Sequence, residues 1–314
     1  MQRKTAAAFG IAAMAAAIVI AACERGAQEL TAPNAAAAVA GPRHAATQDL
    51  VGTPDLVVNP SVLASSWNVR EEDFVEGQCS VEEGNIPTGT HRSLRFSVLI
   101  ENHGDADLYV GDPLLHMDPN QDGNFSDQDG LFEFASCHKH FHFRNYARYE
   151  LLRVNADGSL GAPVQSRKRG FCMLDTTPTQ TDESPPKGRF YMNCGNLTLH
   201  GNQGISTGFG DEYVKQLPGQ LFLLTDPNEP VGPGNYIIRV TANPPFVAQN
   251  GEVCPVKDPQ GFCHMFKEKS YDNNVGEVRI VIPDRVGRTG YGPGAGQYKE
   301  ELDAAHHPEA HGSH

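Results

Sequence analysis

Apolar and polar residues alternate through Leu94-Arg95-Phe96-Ser97-Val98-Leu99-Ile100-Glu101, which places Leu94, Phe96, Val98 and Ile100 on one face of an extended chain. Comparable runs recur at 143–153, 219–225, 235–242 and 275–282. Turn-forming residues separate them, as in Asn102-His103-Gly104, Asp157-Gly158 and Pro233-Gly234-Asn235. No long stretch carries the helical period of apolar positions. Short strands punctuated by Gly, Pro and Asn predict a mainly β, sandwich-like single domain with long loops, spanning residues 50–285. A segment of about 230 residues is enough for one sizeable core.

The pattern is absent at both ends. Arg3 and Lys4 precede a short Ala/Ile/Met stretch that closes with Ile20-Ala21-Ala22-Cys23. A basic start and a short apolar run predict an export signal over residues 1–22 rather than a membrane span. The small residues before Cys23 are similar to a bacterial lipobox, which implies cleavage before Cys23 and a lipid on its thiol; an ordinary Ala-x-Ala cleavage is the other reading. The expected location is the bacterial cell envelope, with the membrane touched only through that lipid. Residues 23–49, rich in Ala and Pro, read as a flexible linker. No other stretch reaches the roughly 18 apolar residues of a transmembrane helix. Residues 286–314 are Gly-rich, then His-rich at His306, His307, His311 and His314. They read either as an unstructured tail or as a metal-scavenging one.

Composition adds two constraints. Setting Cys23 aside leaves six cysteines, an even set that suits up to three disulfides in an exported protein. Cys254 and Cys263 are near enough in sequence to close a loop. The formal charge is −13, and losing Arg3 and Lys4 makes it −15. Such a balance argues against nucleic acid as a partner. It favours the approach of cationic amines, or serves solubility alone.

The chemistry concentrates in Ser136-Cys137-His138-Lys139-His140-Phe141-His142. On a strand, His138, His140 and His142 project from one face, roughly 6.5–7 Å apart, within reach of a single metal ion. Lys139, Phe141 and Phe143 then face the other way. Three imidazoles suit copper, zinc, iron or nickel and leave a coordination position open for chemistry. The spacing does not choose among them.

This histidine segment and the Tyr149-Glu150-Leu151-Leu152 strand after it resemble the copper-binding segment of the lysyl oxidase family. The resemblance continues in order through Arg167-Lys168-Arg169-Gly170-Phe171-Cys172-Met173-Leu174-Asp175-Thr176, Gly204-Ile205-Ser206 and Asp211-Glu212-Tyr213. It extends to Gly232-Pro233-Gly234-Asn235-Tyr236, Asn243-Pro244 and Tyr271-Asp272-Asn273-Asn274, while Pro54-Asp55-Leu56-Val57 is similar to the family's catalytic-domain start. It implies a copper amine oxidase whose lysine tyrosylquinone forms from Lys168 and Tyr213. The implied reaction converts a primary amine or peptidyl lysine to an aldehyde, with O₂ reduced to hydrogen peroxide and ammonia released. The lysine must be neutral to join the oxidised ring, so burial or nearby positive charge has to free its proton. Arg167 and Arg169 flank it and either supply that charge or point away. Asp175 is a candidate general base.

The same resemblance pairs Cys137 with Cys194 and leaves Cys172 to pair with Cys79 or to stay free. It also implies a calcium site made by Asp55, the Leu56 carbonyl, Glu268, Asn273 and Asn274, with Ser270 where the family has an aspartate and Asp272 as a possible substitute. A second acidic loop, residues 118–129, fits the ligand positions of an EF-hand loop without flanking helices. Its ligands would be the side chains of Asp118, Asn120, Asp122 and Asp129 and the carbonyl of Asn124. Both clusters also read as plain Asp/Asn turns. The competing functions are a non-enzymatic copper- or zinc-binding envelope lipoprotein and a calcium-stiffened adhesion module. Lys168 and Tyr213 discriminate, because metal storage needs neither.

Overall fold

The alternating runs do form strands, though two of them are divided differently from the expectation. A computed structural model describes residues 52–179, 188–249 and 253–296. All of these fall within one unit, Pro42–His314. The signal segment, Cys23, the linker through Gln48 and Asp49, and the four tail histidines lie outside the described residues.

In chain order the strands are β1 (Leu56–Val58), β2 (Trp67–Phe74), β3 (Gly89–Phe96), β4 (Val98–Asn102), β5 (Leu108–Gly111) and β6 (Phe132–Ala135). There follow β7 (His140–Arg144), β8 (Ala147–Val154), β9 (Leu160–Gln165), β10 (Gly170–Phe171), β11 (Thr177–Pro178) and β12 (Gln203–Ile205). The last are β13 (Phe209–Tyr213), β14 (Leu221–Leu223), β15 (Gly234–Ala242), β16 (Val256–Lys257), β17 (Cys263–His264) and β18 (Val275–Ile282). Three short helices interrupt them: α1 (Pro60–Ser65), α2 (Cys79–Glu82) and α3 (Pro113–Met117). The side chain of Asn59 caps α1 by accepting from the N–H groups of Ser61 and Val62 at 3.0 and 3.1 Å, and Pro60 occupies the first turn.

The strands assemble into antiparallel sheets: β1-β4-β13-β11, β10-β7-β6, β14-β3-β2 and β18-β15-β8-β9, with two-stranded pairs β12-β5 and β16-β17. The fold is mainly β. The run from Leu94 to Glu101 is two strands, because the chain passes at Ser97 from the β2 sheet to the β1 sheet; Ser97 N–H donates to Ser66 O at 2.9 Å. Its polar positions are not solvent-facing. Arg95 is fully buried, holding Glu72 at 2.9 Å and the carbonyls of Lys215 and Leu217. Sheets cover both faces, so buried polar residues survive by pairing.

The main core joins the sheets other than the β16-β17 pair and is aromatic where it nears the histidine segment. Phe96 stacks on Phe222 at 5.0 Å and meets the edge of Tyr149 at 5.3 Å. Phe171 presents its ring to Tyr146, Tyr149 and Tyr213 in edge contacts of 5.4, 5.6 and 5.2 Å.

The boundary expected at residue 286 moves outward. Residues 287–294 run along β2: Glu71 N–H donates to Gly287 O, Val69 and Tyr291 exchange hydrogen bonds at 2.9 and 2.8 Å, and Gly294 N–H donates to Trp67 O. Gly290 and Gly292 hold positive φ values of 83° and 128° where the backbone presses on Asn68 and Trp67.

Candidate active site

His140 and His142 stand on one face of β7, as strand alternation predicts, with their Nε2 atoms 3.1 Å apart. His138 is not on that strand. Residues 136–139 form the turn between β6 and β7, and Lys139 takes a left-handed φ of 56°. The turn carries the His138 ring over its neighbours, with centroids 5.5 Å from His140 and 5.0 Å from His142. The three rings therefore meet, through a turn rather than through a period-two strand. Phe141 and Phe143 enter the core, whereas Lys139 is exposed.

The cluster fits a metal ion. The His138 Nδ1 is bound to the carboxylate of Glu83, which leaves Nε2 buried and without a hydrogen-bond partner. A carboxylate on one ring nitrogen fixes the other for a metal. Burial, helped by the charges of His138 and Lys168, pushes His140 down to about 3, so its imidazole is neutral. Two nitrogens each ~2.0 Å from one tetrahedral ion stand ~3.3 Å apart, near the 3.1 Å between His140 and His142. Among the described residues no three His, Cys, Asp or Glu side chains already share one coordination point; the three rings would have to close further to hold one ion.

Glu83 follows α2 and also accepts the N–H of Cys137 at 2.7 Å. Burial raises its carboxyl, but the hydrogen bonds from His138 and the two backbone N–H groups outweigh that and hold it below the ordinary value. The Cys79–Cys137 disulfide ties α2 to the histidine turn. Glu133 pairs opposite His142 across β6 and β7. Gly170 lies against both, since a Cβ there would sit 2.7 Å from the His142 Cβ and 2.9 Å from Glu133 Oε1. A cleft is lined by Glu83, Glu133, His138, His142, Lys168 and Gly170.

Lys168 lies in the loop between β9 and β10, its N–H donated to Ser166 Oγ at 3.1 Å. Its Nζ stands 5.2 Å from the ring centroid of Tyr213 and 5.8 Å from that of Phe171. Tyr213 closes β13, fully buried, and its hydroxyl donates to Cys172 O at 2.8 Å. Burial, with the charge of Asp211 next, raises the phenol well above its ordinary value, so it is neutral. Of the flanking arginines, Arg167 is ion-paired with Asp226 and Arg169 is exposed. A second cleft, lined by Arg148, Tyr149, Pro244 and Phe246, also reaches Lys168.

The disulfides differ from the expected set. Cys137 bonds Cys79, not Cys194, and Cys172 bonds Cys194. The pairs lie at Cα separations of 5.5 and 5.4 Å, ordinary for disulfides. Cys254–Cys263 forms as its spacing suggests. Asp175 is not placed as a base. Its Oδ1 accepts Ser206 N–H and its Oδ2 accepts Phe190 N–H, Tyr191 N–H and Ser206 Oγ–H, all within 3.1 Å, so it is a buried structural anchor.

The lysyl oxidase family model matches residues 54–254, nearly two thirds of the chain.

The chain belongs to the lysyl oxidase family.

It is 26% identical over 212 residues to the protein-lysine 6-oxidase of Homo sapiens, covering 64% of this chain and 43% of that one. Lysyl oxidase homolog 1 of Homo sapiens is 28% identical over 213 residues, covering 62% and 30%. Lysyl oxidase homolog 2 of Bos taurus is 29% identical over 206 residues, covering 62% and 22%. The chain thus spans less than half of the length of these relatives.

Within this lysyl oxidase domain the residues of the expected clamp between the domain's start and its last strand lie together. Glu268 Oε2 accepts the Leu56 N–H at 2.6 Å, and Oε1 accepts the amides of Asn243 and Asn274 at 2.6 and 2.8 Å. Asp55 accepts Ser270 N–H and the Asn273 amide at 3.1 and 3.0 Å. Burial pushes Glu268 up to about 8, and the side-chain oxygens of Asn273 and Asn274 are buried without partners. Two carboxyls and two orphaned amide oxygens are a donor set for Ca²⁺. Asp272 is exposed.

The acidic loop is less complete. Asp118, Asn120, Asp122 and Asn124 accept from the N–H groups of the loop itself. Asp129 turns instead to His116 at 2.5 Å and to Leu131 N–H. The helix α3 ends at Met117, immediately before Asp118, so the loop does have one flanking helix.

Sequence reasoning missed Glu83, Glu133 and Asp211. Glu83 lies 55 residues from His138, and no local motif marks it. Asp211 lies two residues from Tyr213 on β13.

Proposed function

We propose that the chain is a copper-dependent amine oxidase that converts primary amines, free or on peptidyl lysine, to aldehydes, with O₂ as oxidant. One observation carries the reading: Lys168 Nζ stands 5.2 Å from the Tyr213 ring, in a loop that also lines the histidine cleft. A metal-storage protein needs neither residue. Copper on His138, His140 and His142 and a quinone built from Lys168 and Tyr213 would supply the redox chemistry, releasing ammonia and hydrogen peroxide.

The surrounding residues have defined work. Glu83 fixes the His138 ring, which lies against the other two imidazoles. The Cys172 carbonyl fixes the Tyr213 hydroxyl, and Phe171 packs edge-on against its ring. Glu83 and Glu133 give the cleft carboxylates that attract an ammonium group. Ca²⁺ on Asp55, Leu56, Glu268, Asn273 and Asn274 would clamp the start of the domain to its last strand, and a weaker calcium loop would sit at Asp118–Asp129. Export and a lipid on Cys23 complete the proposal, supported by the residues before that cysteine.

The test is peptide mapping of aerobic, copper-loaded protein. The expected result is a crosslinked peptide joining Lys168 to Tyr213, with quinone absorbance. Recovery of only the two unmodified peptides rejects the reading. Tyr213→Phe is expected to keep copper and lose all amine-dependent peroxide; persistent peroxide would reject the cofactor assignment.

A further inference from the structure

Strand β7, which carries His140 and His142, and strand β13, which carries Tyr213, belong to different sheets. Among the described residues no backbone ladder joins the two strands. Strand β10 comes nearest to linking them: its Gly170 and Phe171 pair with Arg144 and Phe143 of β7. The chain then leaves that ladder at Cys172, whose carbonyl accepts the Tyr213 hydroxyl at 2.8 Å. The residue that holds the phenol is therefore outside the sheet that holds the histidines.

Gln203 spans that gap. It lies on β12 and is fully buried. Its Nε2 donates to Phe141 O at 3.0 Å, and Phe141 stands between His140 and His142 on β7. The same Nε2 donates to Cys194 O at 2.9 Å, and Cys194 is disulfide-bonded to Cys172. Its Oε1 accepts Met173 N–H at 3.2 Å, one residue beyond the carbonyl that holds the phenol. Two carbonyls at one end of the amide and an N–H at the other fix which way it points. The pairing of β12 with β5 shifts register between Gln203 and Gly204. A bulge of this kind re-aims a side chain, here away from the ladder and into the gap.

We propose that Gln203 is a positioning residue, which holds the histidine strand and the Tyr213 ring at the separation that Lys168–Tyr213 crosslinking requires. This rests on the cofactor reading above. Gln203 acts through Phe141 on one side and through the Cys172–Met173 backbone on the other. Reactions between held groups are steep in distance, and a misplacement of about 1 Å costs about 10²-fold. Removing the amide leaves β7 paired with β6, Phe141 N–H bonded to Gly195 O, and Glu83 bonded to His138. Metal binding and crosslinking should therefore come apart in a Gln203 variant.

The experiment compares full-length wild type, Gln203→Met and Gln203→Glu at a temperature where circular dichroism shows each one folded. Copper affinity is measured by chelator competition, and the Lys168–Tyr213 peptide is followed by mass spectrometry after copper loading under air. Gln203→Met keeps the length of the side chain and loses its hydrogen bonds. It is expected to bind copper as wild type does and to crosslink about 10²-fold more slowly. In the metal-free protein its Met173 N–H should exchange with solvent faster than in wild type. Gln203→Glu supplies the conservative rescue. Burial beside two carbonyl oxygens favours the protonated acid, which donates one O–H where the amide donates two N–H bonds. Its crosslinking rate, taken as a ratio to wild type at the same pH, should be highest at low pH and fall towards that of Gln203→Met as pH rises. A Gln203→Met rate equal to wild type overturns the role of Gln203 and leaves the cofactor reading standing. A slow rate matched by an equal loss of copper affinity makes Gln203 a support of the fold and overturns the role as well, as does unchanged exchange at Met173. No crosslink in wild type removes both readings. If Gln203→Met fails to fold, Gln203→Glu decides, and a rate ratio that is flat with pH overturns the proposal.

Discussion

In the histidine cluster the three rings come from five consecutive residues, whereas the Glu268 pocket joins partners 212 residues apart in the chain. The local set depends on distant supports for its aim: Glu83 on His138, and Cys79 holding α2 to the histidine turn. The dispersed set is its own support, because each carboxyl and amide already bonds another member of the pocket. Damage to the first should therefore show in metal affinity and chemistry. Damage to the second should show in stability.

The largest break in this contrast comes from His140→Ala. Copper content and amine-dependent peroxide should both fall to background while the protein stays folded. Retained quinone absorbance in that variant would disconnect the cluster from the cofactor. Glu83→Gln comes next, with copper held about 10–100-fold more weakly in chelator competition and an unchanged melting temperature. A wild-type copper affinity would mean that the His138 ring is aimed without its carboxylate.

The Glu268 pocket should respond to pH. The folded protein keeps the Glu268 proton up to about 8, against an ordinary value of 4.5 when unfolded. The folded state then binds more protons across that window, so calcium-free stability should fall as pH rises through it. Calcium bound there would take the proton's place and flatten the slope, and Glu268→Gln should flatten it without calcium. Thermal melts with and without chelator decide this; an unchanged slope in Glu268→Gln would assign the effect elsewhere. The smallest effect is expected from Asp122→Ala in the exposed loop, about 1 kcal/mol or roughly 2–4 °C in melting temperature, and only with calcium present. An equal loss in chelator would make the loop a turn and nothing more.

Features carried by neighbouring residues were legible in the sequence. Alternation marked β8, β15 and β18, the spacing of Cys254 and Cys263 marked their disulfide, and the histidine triplet marked three rings that meet. Long-range pairing was not legible. Cys137 finds Cys79 across 58 positions, a choice made by where α2 docks rather than by any local pattern. The position of His138 was misjudged because alternation describes a strand already formed. The hairpin needs a left-handed residue at Lys139, and the turn absorbs His138. Asp211 was hidden for a different reason: a charged letter on a strand reads as a solvent face, and only the sheets packed on both sides show that no water reaches it.

The stretch from Gly287 to Gly294 has a bearing on how this molecule behaves among its own copies. Strand β2 is the last of its sheet, and that stretch occupies the backbone donors and acceptors of Trp67, Val69 and Glu71. A free strand margin of this kind is a template for another chain. Trimming the polypeptide after Asp284, where the alternating pattern runs out, would uncover it and favour self-association by strand addition. The glycines at 290 and 292 are what let the segment lie close enough to guard that margin.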